Sequence, residues 1–229
     1  RIAVLQGAAN NLSFVFIGRI INSMGVYAAA ASSVVNTLTG IILIIPMSAG
    51  MSISAITAQN IGSGKTRRAT STLWYGIGFC LCIAVPFALI MTFFPQAVVG
   101  IISSDANVIR ESVLYLYPFA WDLVFATFVF TFNGFFNGCG KTLFAMLQEI
   151  LSGFCVRFPV AWAFKAFLPG ATMFHIGLAT PLASIASMVA CLIYYRSQFS
   201  KERLEKISAD IAGHSTDEEK TCIHETADL

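Results

Sequence analysis

Residues 113–138 read VLYLYPFAWDLVFATFVFTFNGFFNG, and Asp122 is the only charged side chain in the run. Roughly 20 helical residues cross the ~30 Å hydrocarbon core of a bilayer, so the stretch is read as a transmembrane helix. A carboxylate near the centre of such a helix costs about 2.5 to 3.5 kcal/mol on insertion scales, which implies that Asp122 has a partner or a task. Working outward, runs of the same character lie at 2–22, 30–58, 70–95, 143–167 and 173–196, making six segments in all. The breaks at NSMGVY, QNIGSGKTRR, PQAVVGIISSDANVIRE, NGCGKT and LPGATMFH hold the Gly, Pro, Asn and Ser that turns prefer.

Composition agrees with a polytopic, all-α membrane protein. Hydrophobic residues make up 56% of the 229 and charged residues 11%, with a mean hydropathy of +0.74, more apolar material than one soluble core can bury. The net charge of +2 averages two unlike parts. Between Ile2 and Phe199 the acids are Asp105, Glu111, Asp122 and Glu149, and the rest lie in the tail from Lys201. The chain divides into a six-helix membrane region over 1–199 and a polar, acidic tail over 200–229, expected to be cytosolic and partly disordered. No aromatic-and-basic cluster suggests nucleic acid. The six cysteines show no CxxC pairing and read as small buried hydrophobes. Cys222 and His224 supply too few ligands for zinc, and no metal site is expected. The opening RIAVLQG reads as a cut within a longer protein, at the cytosolic edge of a helix.

Lys65, Arg67 and Arg68 in the second connection, and Arg196, Lys201, Arg203 and Lys206 after the last helix, place those positions and the C-terminus in the cytosol of a multi-pass protein of the cell membrane. Arg19 and Lys165 are the dissenting charges. Pro46 with Gly50, Pro86 and Pro118 lie inside spans, where tilt or a kink is expected. Helices broken at mid-membrane are tolerated mainly where they line a cavity. IGSGKT and NGCGKT imitate a phosphate loop, but the first glycine it requires is replaced by Gln59 and by Phe135, and each follows a membrane helix. Both read better as cytosolic helix-helix turns.

A 100° step along the fourth helix puts Tyr115, Ala126, Asn133 and Asn137 within about 60° of Asp122. Asp122 is a candidate proton carrier, sodium ligand or counter-charge for a cationic substrate, with an ion pair to Arg157 or Arg19 as the alternative. Asn133 and Asn137 fit either a lumen or interhelical packing. Gln6 and Asn10, with Ser13, share a face of the first helix, and Asn36, with Ser33 and Gly40, a face of the second. Glu149, near the start of the fifth helix, is expected to be structural or gating, held by the helix N-terminus. Arg157 is deep and must be satisfied. Tyr115, Trp121 and Phe125 can hold flat cations through their faces.

These elements together resemble the multidrug and toxic compound extrusion family. The likeness is carried by IPMSAGMSISAITAQNIGSGKTRRA at 45–69, by NGFFNGCGKT at 133–142 and by Arg157-Phe158-Pro159, and it covers residues 1–199. The resemblance implies one six-helix lobe, the C-terminal one, of a twelve-helix, V-shaped transporter. It would act as a secondary active exporter of drugs or toxic cations against H+ or Na+, with no cofactor and no catalysis. Its partners would be the lipid bilayer and the missing N-terminal six-helix lobe. Some members carry a glutamate in the first helix of this lobe, where this chain has Gln6, Asn10 and Asn11. The fourth-helix acid of some members falls near Ala126, about one turn past Asp122, so the coupling ion stays open. A lipid-linked oligosaccharide or peptidoglycan-precursor flippase of the related superfamily is an alternative, for which Arg157 and Arg19 are the available cavity cations. A non-transporting membrane subunit is another.

Overall fold

The computed structural model describes residues 15–167 and 172–198, and every element in them is helical. Helix α1 occupies 15–22 of the described chain. It is followed by α2 (Val26–Gly62), α3 (Thr66–Phe93), the short α4 (Pro95–Gly100) and α5 (Ala106–Gly138). Then come α6 (Thr142–Leu151), a π-helical turn (Ser152–Arg157), α7 (Phe158–Phe167) and α8 (Met173–Gln198). Gln6, Asn10 and the tail over 200–229 lie outside the described residues. Among the described residues, five helices are long and apolar enough to span a membrane: α2, α3, α5, α8 and the composite 142–167. The chain is a polytopic membrane protein.

The segments sit where hydropathy puts them, but their ends differ. α5 begins at Ala106, seven residues before the apolar run, because the Asp105 carboxylate accepts the Asn107 N–H at 2.8 Å and caps a polar first turn. α2 is 37 residues long. At about 1.5 Å per residue it exceeds the ~30 Å hydrocarbon thickness, which leaves room for tilt. Pro46, Pro86 and Pro118 stand within continuous helices. Pro46 and Pro118 are themselves buried, so neighbouring helices hold the flanking turns together. The change of helical pitch falls instead at Ser152–Arg157, just ahead of Pro159, whose missing N–H cannot serve the carbonyl one turn back.

α5 is the central strut, lying against α2, α3, α4, α6 and α8. Its approach to α2 is set by glycines. A Cβ on Gly50 would stand 2.7 Å from the Phe130 carbonyl oxygen, one on Gly138 would stand 2.5 Å from the Ser54 carbonyl oxygen, and Gly134 abuts the Gly50 backbone. Gly134 and Gly138 form a GxxxG pair, the spacing that lets membrane helices touch backbone to backbone. The two phosphate-loop mimics are matched Schellman turns. Lys65 N–H donates to the Asn60 carbonyl and Lys141 N–H to the Phe136 carbonyl, both at 2.8 Å, with Gly64 and Gly140 at φ of +71° and +73°.

Buried apolar side chains form two clusters at opposite ends of the bundle. One joins Ile21, Val35, Leu116, Ala161 and Ile176, and the other joins Ile53, Leu73, Phe132, Phe136, Ala145 and Cys191. In the second, Phe144 stacks on Tyr194 with ring centroids 3.6 Å apart. Of the described cysteines, Cys80 and Cys191 are buried as expected, whereas Cys82 and Cys155 are exposed on the helix surface. Between the clusters, on α2, α5 and α8, lies a middle layer that both omit, and Asp122 is in it.

Candidate functional site

Asp122 is 7% exposed, on the inner face of α5, so the helical phase that isolates it in the sequence also turns it into the bundle. The Ser184 hydroxyl of α8 hydrogen-bonds to its carboxylate, and the Arg157 guanidinium acts on it electrostatically. Its Oδ1 has no hydrogen-bond partner among the described residues. Two cavities meet at this side chain. The first, of about 270 Å³, is bordered by Asn36, Thr39, Gly40, Leu43 and Phe119. The second, of about 230 Å³, runs between α5, the π turn and α8, with Met47, Phe130, Glu149, Arg157 and Ser187 in its walls.

The anticipated residues other than Gln6 and Asn10 each have a definite place. Asn36 is exposed on α2 and lines the first cavity with Asp122. Asn133 is buried and makes a bridge, its Nδ2 donating to Glu149 Oε1 at 2.6 Å while its Oδ1 accepts from Gln148 Nε2 at 3.2 Å. Glu149 is not held by a helix N-terminus, since it is the eighth residue of α6 and lines the second cavity. Arg157 closes the π turn and lines the same cavity, under the electrostatic influence of Asp122, Tyr115 and Glu149. Pro46 is buried within α2, and Gly50 marks the α2–α5 contact one turn further on. Arg19 is exposed and stands apart from this group, and Lys165 donates to the Ser23 hydroxyl near the other end of the bundle.

The aromatic residues depart from expectation. Tyr115 is 2% exposed, packs on Phe119 at a centroid distance of 4.7 Å and rests against Gly177 of α8. It lines neither cavity, although its phenol feels both Arg157 and Asp122. Trp121 and Phe125 face a separate groove of about 420 Å³ between α5 and α8, shared with Tyr117, Pro118 and Phe174. One residue along a helix is a 100° turn, enough to take Trp121 off the Asp122 face. The rings that do border the cavities are Phe119 and Phe130.

The serines escaped the sequence reading. Ser184 and Ser187 stand three apart on α8 and both line the second cavity, with Ser152 from the π turn. The Ser152 hydroxyl donates to the Ala183 carbonyl at 2.9 Å, tying the π turn to α8. Their i, i+3 spacing in an apolar helix was the available signal. Among the described residues, no three His, Cys, Asp or Glu side chains converge as a metal site would require.

With both acids ionised, two carboxylates and one guanidinium give the second cavity a formal charge of minus one. One cation neutralises it, and Coulomb attraction inside a low-dielectric bundle is far stronger than in water. The arrangement is suited to reversible cation binding, because serine hydroxyls and carboxylates converge there.

Comparison with known proteins bears on this geometry. The profile of the family described as MatE matches residues 3–163. A Bacillus subtilis (strain 168) protein called "Probable multidrug resistance protein YpnP" is 24% identical over 177 residues, covering 77% of this chain and 39% of that protein. A Shewanella oneidensis protein called "FAD transporter" is 24% identical over 215 residues, covering 91% and 45%. The chain thus spans less than half the length of these relatives. A crystal structure of a mutant of the Vibrio cholerae MATE transporter VcmN superposes with a TM-score of 0.77 at 21% identity, over 86% of this chain and 45% of the other. A crystal structure of MATE in the straight conformation gives 0.76 at 13%, over 90% and 45%.

Proposed function

The chain belongs to the MatE family, whose members are transporters and not enzymes, and we propose that the protein is a secondary active exporter of organic cations or other amphipathic compounds driven by proton or sodium entry. In this reading the chain works as one lobe beside a second six-helix lobe in the cell membrane, with the 63–65 and 139–141 turns and the C-terminus in the cytosol. The observation that carries it is the buried Asp122, with Oδ1 unpartnered among the described residues, opening on two cavities at mid-bundle.

The mechanism is competition. Ionised Asp122 attracts a cationic substrate from the cytosol, with Asn36 and Thr39 along the approach. A proton or sodium ion arriving from outside neutralises the carboxylate and releases the substrate. One charge falling through 100 mV supplies about 2.3 kcal/mol, which drives export of a neutral compound. One-for-one exchange with a monovalent cation is electroneutral and draws on the coupling ion's own gradient, about 1.4 kcal/mol per tenfold. Asp122→Asn in the natural full-length protein is expected to abolish ethidium efflux from cells while membrane expression stays intact. Efflux at the unsubstituted rate would overturn the assignment.

A second reading has one observation in its favour. Arg157 in the wall of the second cavity can pair with a phosphate or carboxylate, and the Shewanella relative is named for an anionic dinucleotide. Export of FAD that is lost in Arg157→Gln and kept in Asp122→Asn would establish it over the cation reading.

A further inference from the structure

The second cavity holds a carboxylate that the competition mechanism leaves idle. Glu149 is bound at 2.6 Å by the Asn133 amide, a short contact of the kind an ionised acceptor makes. Asn133 in turn accepts from Gln148 at 3.2 Å. Hydrogen bonds therefore run one way, from Gln148 through Asn133 to Glu149. At the head of this chain the Gln148 Oε1 is enclosed with no partner among the described residues, in a side chain only 5% exposed.

A primary amide turned over by half a revolution keeps its shape and exchanges donor for acceptor. If Glu149 takes up a proton, its O–H donates to the Asn133 oxygen, and the Asn133 N–H then donates to Gln148 Oε1. With both amides turned over, two hydrogen bonds exist in either direction: the Gln148 Oε1 that now has no partner among the described residues is engaged, and its Nε2 takes the enclosed place. Within the chain, one arrangement is exchanged for another with the same two links. The surroundings permit both states. Arg157 from the π turn and Asp122 from α5 act on the same space, Cys191 of α8 lies within electrostatic range of Glu149, and α2 contributes the uncharged Leu43 and Met47.

We propose that Glu149 is a second proton-binding residue, distinct from Asp122, whose protonation reverses the Gln148–Asn133–Glu149 hydrogen-bond chain. Only its part in transport rests on the export reading, where it would hold a further proton in the cavity beside the substrate carboxylate. The reaction is proton addition to a carboxylate oxygen from water in the cavity, with no other bond made or broken in the chain.

The test is pH-difference infrared spectroscopy on the purified full-length protein. Acidification is expected to raise a protonated-carboxyl band together with a shift in side-chain amide bands. Glu149→Gln removes the amide shift and the part of the carboxyl band that accompanies it, Asp122→Asn keeps both of these, and Gln148→Leu keeps the carboxyl band while diminishing the amide shift. Identical spectra for Glu149→Gln and the unsubstituted protein, or a carboxyl band with no amide shift, would overturn the proposal. So would dependence of the bands on sodium instead of pH. A second measurement reads coupling: ethidium binding to the unsubstituted protein releases protons into unbuffered solution, and Glu149→Gln diminishes that release. Failure to bind ethidium with the infrared bands intact would remove the export reading and leave the proton site standing, whereas undiminished release from Glu149→Gln would remove the proton site alone.

Discussion

Arg157 is the side chain on which the middle layer balances. It is drawn toward Asp122, Tyr115 and Glu149 together, from the end of a π turn fastened to α8 through Ser152. Removing one member of a buried charge group leaves the others facing each other, a loss of about 3–5 kcal/mol where measured in proteins. Arg157→Gln is therefore expected to lower the melting temperature in detergent by several degrees, and Arg157→Lys to recover part of it, as followed by tryptophan fluorescence. An unchanged melting temperature would mean that water already compensates the acids. Asp122 announced itself because it is a lone charge in an apolar run. Glu149 was misplaced relative to its helix, since its partner Asn133 is sixteen residues away and no local periodicity relates α5 to α6. Ser184 and Ser187 were invisible for a simpler reason: a serine in a membrane helix bonds its own backbone as readily as it lines a cavity.

At the scale of an element, the α2–α5 crossing depends on missing side chains. A methyl on Gly50 or Gly138 would meet backbone carbonyl oxygen, which cannot rotate away, and Gly134 is set against the Gly50 backbone. Overpacking of this kind costs about 1–3 kcal/mol. Gly134→Ala is expected to reduce the yield of monodisperse protein on size-exclusion chromatography and to lower its melting temperature. Gly78→Ala on α3, where nothing lies within 4 Å, should be neutral or slightly stabilising because alanine favours helix by about 1 kcal/mol. Equal behaviour of the two variants would show that the crossing tolerates separation. Prolines gave the opposite lesson. The helices run through Pro46, Pro86 and Pro118, where tilt or a kink is expected, and burial of Pro46 and Pro118 among neighbouring helices offsets one lost hydrogen bond at each.

For the whole molecule, the proposed orientation makes a simple prediction. Ser63→Cys, in the turn after α2, should react with a membrane-impermeant maleimide only from the cytosolic side, and Ser103→Cys, between α4 and α5, only from outside, in a background with all six native cysteines replaced. Labelling with the opposite sidedness would invert the export mechanism. The sequence by itself determined that this is an all-helical membrane protein, where its spans and turns fall, which single acid is isolated among them and which family it resembles. Those features follow from hydropathy over about 20 residues and from turn chemistry, which are local and need no knowledge of neighbours. Only the tertiary structure decided which polar groups converge. It grouped Asp122, Glu149, Arg157 and Ser187 around one cavity, and it turned Trp121 and Phe125 toward another groove. Inside a bilayer every backbone bond is satisfied within its own helix, so the pairing and rotation of helices rest on glycine contacts and side-chain hydrogen bonds between segments far apart in the chain.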